Sequence, residues 1–188
     1  MLDPILIDAI DAIPGEPYEG SAYRVTWKGR DPLAGNLGGG RWSPDGKFEA
    51  LYLNLERSGA IAEVYYHLSQ APVFSSSDVL LNEVSVSVSN ILSLDTAQLK
   101  LLGIEDPLAK RISYERSQSI GAAAYMLDFQ GMIIPSARWD SMNLVLFLDR
   151  VDLNTQLALV TSEDVNWPAW IEQLNAKRSK SSKRRPRS

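Results

Sequence analysis

The sequence has 188 residues, the length of a single domain with one hydrophobic core. Its composition, 45% apolar and 22% charged, is typical of a soluble globular protein, and no stretch approaches the ~18 uninterrupted apolar residues of a membrane helix. The lack of cysteine excludes disulfides and thiolate metal sites, and a single histidine excludes a multi-histidine site. We therefore expect no metal and no membrane association. The N-terminal sequence shows no basic start followed by an apolar run, so we expect a cytoplasmic protein.

The net charge of −4 is unevenly distributed along the chain. Residues 177–188 (KRSKSSKRRPRS) include seven Lys or Arg and no acid, which leaves −11 on residues 1–176. This basic tail has no apolar side chain to bury, so we expect it to be disordered. Two interpretations stay open: an arm that binds nucleic acid or an acidic partner, and a solubilising tail. The acidic body repels phosphate backbones, which makes direct DNA binding the weaker interpretation.

The first half of the chain predicts strands and a helix around a glycine-rich connection. Residues 1–20 form an N-terminal segment, in which a short helix is followed by a turn containing proline and glycine. Residues 22–27 (AYRVTW) and 50–54 (ALYLN) have the composition of short strands. The connection between them carries six glycines from Gly29 to Gly46. The pattern of residues 58–68 is helical, with apolar residues on one side.

The second half begins with a strand over residues 79–89 (VLLNEVSVSVS), where valine and serine alternate as in a half-buried antiparallel strand. A short helix follows over 95–102, with Asp95 as its cap and Gly103 as its end. The remaining predicted elements are, in order, a helix at 114–128, strands at 132–135, 143–149 and 157–161, and a helix at 168–176. Because these elements do not alternate as βαβ units, we expect an α+β domain over residues 21–176.

Four polar side chains of this domain stand out, and each has an ordinary alternative explanation. Arg24 lies mid-strand in an apolar setting, where a guanidinium needs a phosphate or carboxylate partner; an edge position or an ion pair with Glu63 would also explain it. Tyr52 fits a half-buried aromatic, Glu63 a solvated helix residue and Ser136 a turn hydroxyl. The glycine-rich connection matches neither G-x-G-x-x-G nor G-x-x-x-x-G-K-[ST], which weakens the case for a dinucleotide fold or a P-loop.

The combination of these residues, in this order, resembles a known family. The segments concerned are YR at 23–24, GGRWSPDG at 39–46, LYLNLERSGAIAEVYYHL at 51–68 and IIPSARWDSMNLVLF at 133–147. Over about residues 21–150 the chain resembles the RES family, which is named for an Arg, a Glu and a Ser and contains the toxins of bacterial toxin–antitoxin pairs. The resemblance matches the family's motif residues to the following positions: Arg24, Tyr52, Glu63, Ser136 and Asn143.

Two positions depart from the family's usual pattern. The chain has Ala34-Gly35 where the family reads S-G, and it has Ser43 after Trp42 where the family reads Asn. The first departure removes a hydroxyl that could touch the ligand, so affinity or the choice of acceptor would differ here.

The resemblance implies a fold similar to ADP-ribosyltransferases, in which NAD lies in the cleft of a split mixed or antiparallel β-sheet with flanking helices. It also implies an enzyme that breaks the nicotinamide–ribose bond of NAD and transfers ADP-ribose to a protein side chain, to water or to phosphate. Breaking this bond passes through an oxocarbenium-like state, which a nearby carboxylate stabilises. Glu63 is therefore the expected catalytic carboxylate.

The resemblance implies roles for the other matched residues as well. Arg24 would pair with the pyrophosphate and hold NAD in the bent pose that attack requires, and Tyr52 would stack on the nicotinamide or ribose, so both are expected to contribute to catalysis. Ser136 would hydrogen-bond the nicotinamide amide or a ribose hydroxyl. Asn143 would complete the matched NAD-binding set. Arg41, at the end of the glycine-rich connection, is a secondary candidate for contact with a phosphate of NAD.

His67 and residues 138–140 lie near the matched residues, and each has two possible interpretations. His67 lies four residues after Glu63 on the same helical face, so it either supports Glu63 by a hydrogen bond or is structural. Residues 138–140 form either a lip over the pocket or an exposed loop.

By resemblance, the expected partner is a cognate helix-turn-helix antitoxin that blocks the cleft. Two alternatives stay open: a non-catalytic module that binds a nucleotide or a partner, and a nucleic-acid binder that works through the basic tail.

Overall fold

The computed structural model describes residues 2–69, 78–109 and 113–183, with side chains described as far as Ala176. The elements of these residues are, in chain order, α1 Pro4–Asp11, β1 Glu16–Trp27, β2 Ala50–Asn54, α2 Arg57–Leu68, β3 Val79–Ser93, α3 Thr96–Leu101, α4 Glu115–Met126, β4 Gly131–Pro135, β5 Met142–Phe147, a 3₁₀ turn Leu148–Arg150, β6 Leu157–Asp164 and α5 Trp167–Lys183. The mixed α+β class predicted from the sequence is confirmed.

The strands form one sheet that closes on itself like a barrel. Its order is β1-β2-β5-β4-β3-β6, and an additional β1–β3 pairing closes the ring. The pairings are antiparallel except for β3 with β4. The seam between β1 and β2 is short, because the two strands pair only at Tyr23 and Asn54. Backbone that is not paired at this seam leaves room for a cleft between β1 and β2.

The long strand β3 holds the sheet together, and its alternating sequence explains how. Val84, Val86 and Val88 are buried, whereas the serines between them are exposed. The same strand pairs with β1 along most of its length and with β6 over its first half. The predicted half-buried antiparallel strand is confirmed, and it continues to Ser93, where its end pairs with β4.

Apolar residues pack in three clusters around this sheet. One joins α1, α3 and α4 to the sheet, a second joins residues of β1, β2, β3 and β5, and a third packs α2 and the start of α5 against β1 and β3. The third cluster contains Trp167 and Trp170 from α5 and Ala60 and Ile61 from α2. Helix α2 is therefore fixed between the sheet and the C-terminal helix.

The structure confirms one local prediction in detail. Asp95 and Gln98 form a reciprocal capping box at the start of α3, in which each side chain bonds the backbone N–H of the other residue. Gly103, with φ of +93°, follows the end of the helix in the left-handed conformation that favours glycine. Within the described residues, no helix is long and apolar enough to cross a membrane.

Several predicted boundaries were wrong. Strand β1 begins at Glu16, inside the segment 1–20 that was predicted to be helix and turn, because β3 supplies hydrogen-bonding partners as far as Ile91. The strand predicted over 143–149 ends at Phe147 and turns into a 3₁₀ segment.

The C-terminal helix is also longer than predicted. Helix α5 continues past Ala176 to Lys183, so it includes the first seven residues of the basic tail. Lys and Arg have high helix propensity, and the buried Trp167 and Trp170 anchor the first turns of the helix. Residues 184–188 lie outside the described residues.

Candidate active site

A cavity of about 490 Å³ lies at the short seam between β1 and β2, bounded by the glycine-rich loop and helix α2. This volume suits a small-molecule ligand. Its charged lining consists of three arginines and one carboxylate, in a chain whose residues 1–176 carry −11. The lining includes the following predicted site residues: Arg24, Arg41, Tyr52, Glu63 and Asn143. The local excess of positive charge favours an anionic ligand.

Helix α2 brings Glu63 to the cavity because a glycine lets the helix approach the sheet. At Gly59, an added Cβ would lie 2.1 Å from Asn54 Oδ1 and 2.5 Å from Ser141 Oγ, so only glycine fits without displacing one of them. Glu63 follows four residues later, on the same side of the helix. The close approach at Gly59 therefore sets the distance of the Glu63 carboxylate from the strands of the site.

The Glu63 carboxylate is held by a different group at each oxygen. Ser136 Oγ donates a hydrogen bond to Oε1 at 3.1 Å, and Arg138 Nε lies 3.9 Å from Oε2. A carboxylate with both oxygens engaged has little freedom to rotate. Its orientation in the cavity wall is therefore fixed before any ligand binds.

Ser136 organises the loop that follows β4. Its Oγ accepts the backbone N–H of Arg138 at 3.1 Å and that of Trp139 at 3.4 Å, and its own N–H donates to the carbonyl of Ser141 at 2.9 Å. The side chain is buried, and Ser136 is absent from the cavity lining. The structure thus directs the Ser136 hydroxyl hydrogen to Glu63, and the expected contact with NAD stays a prediction.

Arg24 reaches from β1 to the glycine-rich loop. Its Nη1 donates to the carbonyls of Pro32 at 3.0 Å and Ala34 at 2.6 Å, so the predicted alternative of an ion pair with Glu63 does not occur. Burial lowers the pKa of Arg24, but a guanidinium stays charged at neutral pH. Because Ala34 contributes its carbonyl, the departure from the family's serine at this position leaves the anchor intact.

Tyr52 ties the glycine-rich loop to β2 through its hydroxyl. The hydroxyl oxygen accepts the N–H of Trp42 at 3.1 Å and lies 2.9 Å from Ser43 Oγ. Gly40 allows this contact, since an added Cβ there would lie 2.6 Å from the hydroxyl. Burial raises the pKa of Tyr52, so its phenol stays protonated at neutral pH. Ser43, which stands where the family usually has Asn, is thus a hydrogen-bonding partner of the Tyr52 hydroxyl.

A model of the RES domain family matches residues 21–168 of the chain. The chain belongs to the RES-domain family. It is 29% identical over 184 residues to the NAD(+) phosphorylase MbcT of Mycobacterium tuberculosis and of Mycobacterium bovis, covering 93% of this chain and 97% of the relative. Its fold resembles a chain in the crystal structure of the M. tuberculosis MbcT–MbcA toxin–antitoxin complex, with a TM-score of 0.80, 27% identity and coverage of 92% of this chain and 98% of that chain.

Two other predicted residues of this RES domain have structural partners at the cavity. Arg41 donates from Nη2 to the carbonyl of Pro107 at 2.6 Å and from Nη1 to that of Ala109 at 3.3 Å, so it fastens the glycine-rich loop to the segment after α3. Burial lowers the pKa of Arg41. Asn143 accepts a hydrogen bond from Asn54 Nδ2 at 2.8 Å, across the β2–β5 pairing.

Sequence reasoning overlooked Asn54 and placed Arg138 only in a lip or exposed loop. The Arg138 side chain is only 11% exposed, lines the cavity and lies over the Tyr66 ring, with Cζ 3.6 Å from the ring centroid. The sequence signal that could have identified Arg138 as a site residue was its position two residues after the motif residue Ser136. Asn54 belongs to the same LYLN segment as Tyr52 and could have been flagged as its polar neighbour.

Of the two interpretations of His67, the contacts of the described residues favour the structural one, since none of their hydrogen bonds joins His67 to Glu63. His67 lines the cavity, but its ring packs edge-on against Tyr66, with centroids 5.6 Å apart. Among residues 2–69, 78–109 and 113–183, no group of three or more His, Asp or Glu side chains could hold a metal ion. The described lining of the site supplies arginines, one carboxylate, an imidazole, amides and hydroxyls.

Proposed function

We propose that this RES domain is the toxin of a toxin–antitoxin pair and that it cleaves NAD at the nicotinamide–ribose bond, passing ADP-ribose to inorganic phosphate. The observation that carries the proposal is the Glu63 carboxylate, held by Ser136 and Arg138 in the wall of an arginine-lined cavity. Similarity over nearly the whole chain to relatives named NAD(+) phosphorylase supports the substrate and the acceptor.

The carboxylate suits the bond that must break. As the nicotinamide–ribose bond lengthens, positive charge grows on the ribose, and an oriented anion stabilises that state more than the ground state. The electron pair of the bond goes to the nicotinamide ring nitrogen, whose positive charge it neutralises. The leaving group therefore needs no proton, and Glu63 can act purely through its charge.

The cavity offers NAD a matching set of contacts. Arg24 is anchored by Nη1, and within the described part of the chain its Nε and Nη2 have no hydrogen-bond partner, so this edge of the guanidinium can bind the pyrophosphate. Tyr52 and Asn143 line the same cavity and would contact the nicotinamide riboside. The short seam between β1 and β2 would serve as the cleft of an ADP-ribosyltransferase-like split sheet.

A cognate antitoxin is the proposed protein partner. The support is the likeness in fold to a chain of the MbcT–MbcA toxin–antitoxin complex. By the family resemblance, the antitoxin would be a helix-turn-helix protein that blocks access to the cavity. An acidic toxin surface suits an antitoxin that carries basic segments at the contact.

The fate of labelled NAD tests the proposal. Purified protein is incubated with NAD labelled in the adenylate moiety, with and without inorganic phosphate, and the products are separated by anion exchange. We expect nicotinamide and a phosphorylated ADP-ribose, formed only when phosphate is present. Free ADP-ribose as the main product would mean that the acceptor is water rather than phosphate. Label on a protein band would mean that the acceptor is a protein side chain. NAD that stays intact would refute the proposed enzymatic activity.

A further inference from the structure

We propose that Asn54 turns the Asn143 side chain so that its NH₂ group faces the cavity, and that Asn143 donates to the carboxamide oxygen of nicotinamide. This inference rests on the proposed function and deepens it, because it names the group of NAD that Asn143 recognises. Both asparagines line the cavity, and they lie opposite each other where β2 pairs with β5. Asn54 acts through Asn143 and is a positioning residue.

A main-chain group sets the direction of this pair of amides. The backbone N–H of Glu56, at the start of α2, donates to Asn54 Oδ1 at 2.8 Å. Because a backbone N–H only donates, this bond determines which atom of the Asn54 amide is the oxygen. Asn54 Nδ2 then donates to Asn143 Oδ1 at 2.8 Å. Both hydrogen bonds therefore run in one direction, from Glu56 toward Asn143.

The end of this relay is a pair of donor hydrogens in the cavity wall. The Oδ1 of Asn143 is turned toward Asn54, and within the described residues Asn143 Nδ2 has no hydrogen-bond partner. Asn143 lines the cavity, so a ligand bound there can reach these hydrogens. An amide NH₂ group donates and does not accept. The wall at this point therefore selects an acceptor atom of the ligand.

Packing prevents the Asn54 amide from turning over. The side chain is 2% exposed, and a Cβ added at Gly59 would lie 2.1 Å from its Oδ1, so α2 packs directly on the amide. A reversed amide would place its NH₂ group against the N–H of Glu56 and lose that hydrogen bond. The same helix carries Glu63 one turn after Gly59. The relay and the catalytic carboxylate therefore share one support.

The carboxamide oxygen of nicotinamide is the acceptor that suits this donor. It carries no hydrogen and is conjugated with the pyridine ring, which is cationic in NAD and withdraws electron density from it. When the carbon–nitrogen bond breaks, its electron pair goes to the ring nitrogen, and the oxygen becomes a stronger acceptor. A donor at this oxygen therefore stabilises the transition state more than the ground state. No proton is transferred in this step.

The test uses NAD and two analogues that differ from it only at the carboxamide. The 3-acetylpyridine analogue keeps the carbonyl oxygen and replaces the NH₂ group by methyl. The thionicotinamide analogue keeps the NH₂ group and replaces the oxygen by sulfur, a weaker acceptor. For each compound, kcat/KM is measured in steady state and Kd by calorimetry. The proteins compared are the wild type, Asn143→Ala, Asn54→Asp and Asn54→Ser.

The three variants interrupt the relay at different points. Asn143→Ala removes the donor itself. Asn54→Asp still accepts from Glu56 but cannot donate, so the Asn143 amide turns and presents its oxygen to the cavity. Asn54→Ser is uncharged and too short to reach both partners, which gives a second interruption at this position without burying a carboxylate.

We expect each variant to lose part of the wild-type preference for NAD over the thionicotinamide analogue. The ratio of the two kcat/KM values should fall by about 3- to 10-fold, the range of one neutral hydrogen bond. The ratio of NAD to the acetylpyridine analogue should stay within about twofold of the wild type, because both compounds keep the oxygen. A purely structural role would lower all three kcat/KM values by the same factor.

A matched control is Asn82→Asp. Asn82 is also a buried asparagine, 1% exposed, whose Nδ2 donates to Thr26 Oγ1 at 3.0 Å, but it is absent from the cavity lining. Its Nδ2 also donates to the carbonyl of Arg24 at 3.1 Å, so any loss of NAD affinity should affect the three compounds equally. We expect this variant to keep both wild-type ratios.

The outcomes separate the inference from the proposed function. Loss of the preference over the thionicotinamide analogue in Asn143→Ala and in the Asn54 variants supports the relay. Preference retained in Asn143→Ala overturns the contact, and preference lost there but retained in the Asn54 variants overturns the positioning role of Asn54. A change in the acetylpyridine ratio instead would assign the contact to the NH₂ group of nicotinamide and overturn the inference. If the wild type leaves NAD intact, the proposed function fails, and the Kd values of the same compounds still decide whether the contact exists.

Discussion

Replacing Ser136 by Ala removes the hydroxyl that links Glu63 to the loop after β4. This hydroxyl donates to Glu63 Oε1 at 3.1 Å and accepts the backbone N–H of Arg138 at 3.1 Å and of Trp139 at 3.4 Å. The residue is 3% exposed, so water cannot replace the hydroxyl without a rearrangement of the loop. We expect Ser136→Ala to weaken both the stability of the fold and the catalytic step.

The expected loss of unfolding free energy in Ser136→Ala follows from these three hydrogen bonds. A hydrogen bond to a charged group contributes about 1.5–3 kcal/mol and a neutral one about 1 kcal/mol. Because the Glu63 side chain is 33% exposed and water replaces part of the loss, the lower end of the range applies to it. The free energy of unfolding should fall by about 2–4 kcal/mol. A carboxylate free to rotate should lower kcat for NAD cleavage by about 10- to 100-fold.

The control for this substitution lies in the same loop. Among the described residues, the Ser141 hydroxyl is buried and has no hydrogen-bond partner. Ser141→Ala therefore removes a hydroxyl of the same kind without breaking a bond, and its stability should change by less than about 0.5 kcal/mol. Urea unfolding followed by tryptophan fluorescence and steady-state NAD cleavage measure both variants against the wild type.

The result that would refute this reasoning is equally definite. If Ser136→Ala and Ser141→Ala unfold at the same urea concentration and cleave NAD at the same rate, the Ser136 hydroxyl does not orient Glu63. A stability loss in Ser136→Ala with kcat unchanged would leave the serine a structural role only.

Three further predictions follow from the site geometry. Gly59→Ala forces a Cβ against Asn54 and should lower the free energy of unfolding by about 1–3 kcal/mol in urea titrations. Ser58→Ala, which removes only an exposed hydrogen bond to Gln173, should lower it by less than about 1 kcal/mol. Tyr52→Phe removes the acceptor of the Trp42 N–H and should lower stability by about 1–3 kcal/mol. Burial raises the pKa of Tyr52 above its unfolded value of about 10. The stability that the wild type has over this variant should therefore be constant below about pH 10 and fall as pH rises through the folded pKa, measured by unfolding at several pH values. Arg24→Lys should raise the KM for NAD by about 10- to 100-fold with a smaller change in kcat, measured in steady-state kinetics.

The parts of the fold that sequence reasoning predicted depend on local patterns. The alternation of valine and serine in β3 follows from the two-residue period of a strand, and the Asp95 cap bonds an amide only three residues away. The same reasoning placed β1 too short, because its first residues extend only through pairing with Ile91, far along the chain.

The site could be predicted as a set of residues but not as a set of contacts. The motif order identified Arg24, Tyr52, Glu63 and Asn143, all of which line the cavity. The bond between Ser136 and Glu63 joins positions 73 residues apart. It exists because α2 and the loop after β4 meet over Gly59, a packing event that no local pattern encodes.

The most direct test of the central claim is the substitution Glu63→Gln, followed by calorimetric NAD binding and turnover on the same preparation. Glutamine keeps the shape and can still accept the Ser136 hydrogen bond, but it lacks the charge. A unit charge about 4 Å from the developing positive charge contributes about 4 kcal/mol at an effective dielectric constant of 20. That energy corresponds to about a thousandfold in rate. We predict NAD binding within about threefold of the wild type and turnover lower by about a thousandfold. Wild-type turnover in Glu63→Gln would contradict the role assigned to the Glu63 charge. NAD binding by a wild-type protein that shows no turnover would contradict the enzyme and leave a binding module.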